Sequence, residues 1–107
     1  FDCLHDMGDP IGAIKYAKKK LNKNGIIMLV EPTADDLPEN NFNIMGQLYY
    51  SFSTIACIPA SKSQEIGMGL GAQAGPKKLF EILNDGGFTD VKVTYKTASN
   101  MVIQAKV

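Results

Sequence analysis

The sequence has no arginine and no tryptophan; all eleven of its basic residues are lysines, and eleven acids balance them to a net charge of zero. Arginine's planar fork is the side chain best suited to bidentate phosphate recognition, so its absence from a neutral chain argues against a nucleic-acid partner. Cysteine is scarce. Cys3 and Cys57 form neither a CxxC pair nor a Cys/His ligand spacing, which implies two free thiols, no metal and a reducing, cytoplasmic setting. No apolar run approaches the roughly 20 residues that cross a bilayer, and no charged-then-apolar signal segment opens the chain, so no membrane association is expected. Histidine occurs once, at His5. The length of 107 residues suits one domain with a modest core. Because the chain starts at Phe1, inside an apparent strand and without an initiator methionine, it is expected to be part of a longer protein.

What is present has a clear organisation. Phe1 to Pro10 reads as the end of a buried strand, a short polar turn and a helix start at Asp9-Pro10, since Asp is a favoured N-cap and Pro suits the first helical position. In open α/β sheets ligands collect at such strand-to-helix junctions, which places the only histidine where chemistry is usually done. Ile11, Ile14, Ala17 and Leu21 then recur at helical spacing up to Gly25, with lysines opposite and in the last turns, where they favourably oppose the helix dipole. Ile26 to Val30, ended by Glu31-Pro32, has the continuous apolar pattern of a parallel strand buried on both faces. A right-handed crossover between this strand and that of Phe1 would turn His5 and Glu31 to one cleft.

Residues 33–73 form a long excursion. After a turn-rich start, Met45, Leu48, Tyr49, Phe52, Ile55 and Ala56 follow helical spacing over 42–57, and excursions of this length between sheet elements are often lids. Glu65-Ile66-Gly67-Met68-Gly69-Leu70-Gly71 matches the letters of a nucleotide-binding glycine loop. Such a loop must leave a buried strand and be followed by a ribose-binding acid; here 59–64 is polar and no acid ends the next strand, so the segment reads as a flexible return from the lid. A second helix opens at Gly75-Pro76 and closes at Asp85-Gly86-Gly87. Val91 to Lys96 alternates like an edge strand, Met101 to Ala105 is more continuously apolar, and the short link between them predicts an antiparallel hairpin.

Three stretches in this order, Phe1-Asp2-Cys3-Leu4-His5-Asp6 with Asp9-Pro10, Leu21 to Glu31, and Phe80 to Phe88, resemble the carboxyl-terminal half of a class I S-adenosylmethionine-dependent methyltransferase. The stretch Pro59-Ala60-Ser61 through Gly71-Ala72-Gln73-Ala74-Gly75 further resembles a bacterial-type subgroup, some of whose members carry a winged-helix domain before the methyltransferase. The resemblance implies an α/β fold with a partial Rossmann-like sheet, in which parallel strands are joined by a C-terminal antiparallel hairpin and interrupted by the lid-like helical insertion 33–73. It implies methyl transfer to a small-molecule acceptor, through oxygen, with the N-terminal half of the methyltransferase domain as partner; the alternative is a methyltransferase-like domain that binds a ligand without catalysis. By the same resemblance His5 is the general base and Glu31 the acid that orients it, Phe1 and Asp2 approach the cofactor, and Asp6, Met7, Tyr49 and Phe52 face the substrate. The glycine-rich cofactor loop of that family has no counterpart in these residues, so this segment alone is expected not to bind S-adenosylmethionine tightly.

Overall fold

Asp9 starts the first helix by accepting a hydrogen bond at Oδ1 from the Gly12 amide, 2.8 Å away, and Pro10 fills the first helical position. The computed structural model, which describes residues 1–107, carries this helix, α1, over Pro10–Lys20. β1 follows over Ile26–Pro32. The excursion then runs through a 3-10 turn, Pro38–Asn41, into α2, Ile44–Phe52, a π turn at Ser53–Cys57 and α3, Ile58–Lys62. Beyond a glycine-rich return come α4, Pro76–Asp85, and the strands β2, Thr89–Lys96, and β3, Asn100–Lys106.

The three strands form one sheet in the order β1-β3-β2, and both pairings are antiparallel. The hairpin is as the short link at 97–99 predicts. The parallel, Rossmann-like part of the expected sheet is not formed. Residues 1–3 make no strand and 4–6 form a 3-10 turn; only one backbone bond, from the Asp2 amide to the Val30 carbonyl at 2.8 Å, joins this stretch to β1. Two local features divert it. Asp2 adopts a positive φ of 46°, which turns the chain out of the extended region, and the next amides bond to a side chain instead of a strand.

β1 is buried on both faces only in its second half, Leu29 to Pro32. Opposite Ala105, Ile103 and Met101 of β3 stand Ile27, Leu29 and Glu31 of β1, which share the inner face. Alternate residues point the other way, and Met28 is 61% exposed. The inner face packs with Leu4, Ile14, Leu70, Leu79, Ile82, Leu83 and Phe88 into the single main core. α1 and α4 approach so closely that a Cβ on Gly86 would lie 2.2 Å from Ile14 Cγ2, so a glycine there sets their separation. Lys18 donates to the Gly87 carbonyl and stands over the Phe88 ring, at 6.0 Å from its centroid, which tethers the end of α1 to the turn after α4.

The π turn has a local cause. Pro59 has no amide hydrogen, and its ring crowds the Ile55 carbonyl, so the helix cannot keep its regular ladder there. The Ile58 amide reaches back five residues to the Ser53 carbonyl. The extra residue in that turn rotates everything after it by about 100° relative to a regular helix, which matters for Cys57.

Candidate functional site

The site is built around a buried carboxylate. Glu31 ends β1 on the inner face and is 1% exposed. Its Oε1 accepts the Leu4 and Cys3 amides at 3.0 and 3.2 Å, and its Oε2 lies 2.5 Å from Nδ1 of the buried His5. Glu31 thereby satisfies two amides at the start of the 3-10 turn Leu4–Asp6 and fixes the imidazole ring in one orientation. The other side of the turn is held by the excursion. Ser61 Oγ donates to the Met7 carbonyl, Gly8 donates to Gln64 Oε1, and Gln64 Nε2 donates to the Asp6 carbonyl, at 2.9, 2.7 and 3.0 Å.

The glycine-rich return is anchored to the same turn. Met68 donates to the Gly8 carbonyl, Gly69 to Ser61 Oγ and Gly71 to the His5 carbonyl, with Leu70 buried in the core between them. Gly71 has a φ of 79°, a conformation that glycine adopts without steric cost, and this lets its amide turn to His5. The glycines therefore pin a segment against the site. Ser53, two helical turns before Ser61, makes a matching attachment by accepting the Ala72 amide at 2.8 Å and donating to Gln73 Oε1.

A cavity of about 220 Å³ opens beside the imidazole, lined by Asp2, His5, Pro32, Tyr49, Phe52, Ala56, Cys57, Ala72 and Asn100. Tyr49 donates to the Ser99 carbonyl at 2.5 Å, and Asn100 donates to Asp2 Oδ1 at 2.6 Å, so the excursion and the hairpin meet over it. Burial, followed by the Asp2 charge, raises the Tyr49 pKa and keeps its hydroxyl a donor. Burial on its own would lower the His5 pKa, but the Glu31 hydrogen bond and charge, then the charges of Asp6 and Asp2, outweigh it and the net shift is upward.

Of the residues singled out in the sequence, His5, Glu31, Asp2, Tyr49 and Phe52 come together here. Asp6 sits behind the imidazole, with Oδ1 at 3.2 Å from His5 Nε2. Met7 packs against the core, and Phe1 is 82% exposed, away from the cavity wall. The cavity residue with chemistry that sequence reasoning missed is Cys57. Regular helical spacing puts it off the Tyr49 and Phe52 stripe, and the π turn brings it round; the signal was Pro59 two residues later. Burial, then the hydrogen bond and charge of Asp6, push its thiol up to about 11, so it stays protonated at neutral pH.

These residues alone do not form a cradle for S-adenosylmethionine. The Asp2 carboxylate is taken by Asn100, Phe1 points to solvent, and the cavity is below the about 300–1,000 Å³ usual for ligand sites. No protein-family model matches the chain, and no curated protein matches it. No helix is long and apolar enough to cross a membrane.

Proposed function

We propose that this chain carries the acceptor side of an S-adenosylmethionine-dependent methyltransferase acting on a hydroxyl of a small molecule. The observation that supports the reading is the Glu31–His5 pair: a buried carboxylate takes up the turn amides and Nδ1, and leaves Nε2, 3.2 Å from Asp6 Oδ1, as the remaining ring nitrogen of a residue that lines an aromatic-walled cavity. S-adenosylmethionine would have to be held by residues outside this chain, and would there supply the electrophilic methyl group. The part of this chain is to seat the acceptor against Tyr49 and Phe52 and to receive the hydroxyl proton at His5 Nε2, with Glu31 holding the tautomer and sharing the resulting positive charge. A cytoplasmic setting belongs to the same reading and is supported by the two unpaired thiols.

The second reading is a related domain that binds a ligand without catalysis. It is favoured by Asp6 Oδ1, which lies 3.2 Å from the nitrogen that would receive the proton. Transfer of a labelled methyl group by the full-length protein to a pool of hydroxylated metabolites separates the two. For the enzyme, His5→Ala lowers kcat by about 10²- to 10⁴-fold with little change in cofactor affinity. Absence of transfer by the wild type, or a loss below threefold in the variant, sinks the catalytic reading.

A further inference from the structure

Beside the imidazole three potential ligand atoms converge: a ring nitrogen of His5, a carboxylate oxygen of Asp6 and the Cys57 Sγ lie within 4.8 Å of one another, and the nitrogen nearest Asp6 is Nε2, since Glu31 holds Nδ1. We propose that this cluster is a zinc site with an open fourth position facing the cavity.

Three observations carry it. Asp6 Oδ1 is buried and makes no well-aligned hydrogen bond, its polar neighbours being the other members of the cluster, with His5 Nε2 only 3.2 Å away. A buried carboxylate oxygen without a partner is costly, and a cation between the two atoms removes the cost. The donor set also suits the metal. Imidazole nitrogen, carboxylate oxygen and thiolate sulfur are all ordinary zinc ligands, and bond lengths of about 2.0–2.3 Å at tetrahedral angles separate neighbouring ligands by roughly 3.3–3.7 Å. The His5–Asp6 separation of 3.2 Å is already close to that, and the Cys57 Sγ lies within 4.8 Å of both partners.

The outer shell is in place as well. A metal-bound histidine usually donates its other nitrogen to a carboxylate that fixes the ring, and Glu31 occupies that position, 2.5 Å from Nδ1. His5 and Cys57 both line the cavity, which gives the ion an entry path and leaves a fourth position for water or a small ligand. Binding exchanges the Cys57 thiol proton for the metal, with the proton released to solvent and no change of oxidation state. The site stands independently of methyl transfer. If His5 is the base, zinc on Nε2 occupies the lone pair that would take the proton, and the ion is then an inhibitor.

The test uses the chain itself with Zn²⁺ by calorimetry and Co²⁺ by absorption. One equivalent should bind, and cobalt should show tetrahedral visible bands with a thiolate charge-transfer band in the near ultraviolet. Cys57→Ser should abolish the charge-transfer band. Glu31→Gln should weaken zinc binding by about 10- to 100-fold with the ligands intact. Asp6→Asn, at a half-exposed side chain, should fold normally and weaken it at least tenfold, which keeps the test decisive if the buried Cys57 variant fails to fold. Cys3→Ser, at an exposed thiol, should change nothing. Binding no tighter than millimolar, binding unaltered in Asp6→Asn, or a cobalt band that follows Cys3 would mean an adventitious ion only and overturn the site.

Discussion

The two sides of the His5 ring are built to different standards. On the Nδ1 side Glu31 uses both oxygens, and every partner it meets is satisfied; on the Nε2 side Asp6 and Cys57 crowd together and one carboxylate oxygen has no partner. The first arrangement holds a turn and orients a ring. The second leaves a buried demand for a proton, a cation or a substrate hydroxyl, which is how a site differs from a brace. The same contrast recurs on a larger scale. The core of the sheet with α1 and α4 is held by apolar packing, whereas side-chain hydrogen bonds fasten the excursion to the turn at the site through Ser61 and Gln64, to the hairpin through Tyr49 and to its own return through Ser53.

The largest effect expected from breaking this contrast is on the brace. Glu31→Ala leaves the His5 ring and the Leu4 and Cys3 amides without their acceptor in a buried place, and should cost about 3–5 kcal/mol in denaturant unfolding. A cost below 1 kcal/mol would show that the turn is held from elsewhere. Next come the core and its counterpart on the excursion. Leu83, fully buried between helix and sheet, should lose about 2–5 kcal/mol on replacement by alanine, while Ile55, 74% exposed on the π turn, should stay within about 0.5 kcal/mol. Equal losses at the two positions would mean that the outer side of the excursion is covered in solution. Smaller again is Ser61→Ala. It strands the Gly69 amide and the Met7 carbonyl, both facing a fully buried side chain, and should cost about 1–3 kcal/mol. Its amide exchange should speed up at 67–71 and leave β3 unchanged; uniform acceleration would show that excursion and core open together.

The periodic part of the fold was legible in the residues. Asp9-Pro10 marks a helix start because capping is a property of neighbours in sequence, and the hairpin 89–106 follows from a short link between two strands. No parallel strand forms at Phe1, although an apolar opening followed by a polar turn has the local signature of a strand end: a carboxylate 28 residues away captures its amides, and nothing local reveals that. His5 and Glu31 could be paired in advance only because each is punctuated: one by a helix start, the other by a proline. Cys57 could not, since its place depends on the π turn that Pro59 imposes. The glycines 67, 69 and 71 invite two readings, nucleotide loop or loose return, and in the structure their amides and neighbours are tied to Gly8, Ser61 and His5.

The smallest effect is a pH dependence, because charged and neutral His5 both keep a bond to Glu31 and only the added attraction of the second charge is at stake. The groups facing the ring are Glu31, Asp6, Asp2 and Cys57, and their net effect places the folded pKa of His5 above its ordinary value of 6.5. A raised folded pKa means that the folded state binds the proton more tightly than the unfolded chain. The resulting stabilisation is complete below pH 6.5 and is lost as the pH rises through the higher folded value. The stability difference between wild type and His5→Gln, whose amide can still donate to Glu31, should therefore be largest in mild acid and shrink towards alkaline pH. Over the same window a base that must be neutral gains activity, so methyl transfer by the full-length protein should rise as this stabilisation falls. A difference that is flat or grows with pH would place the proton elsewhere than on His5.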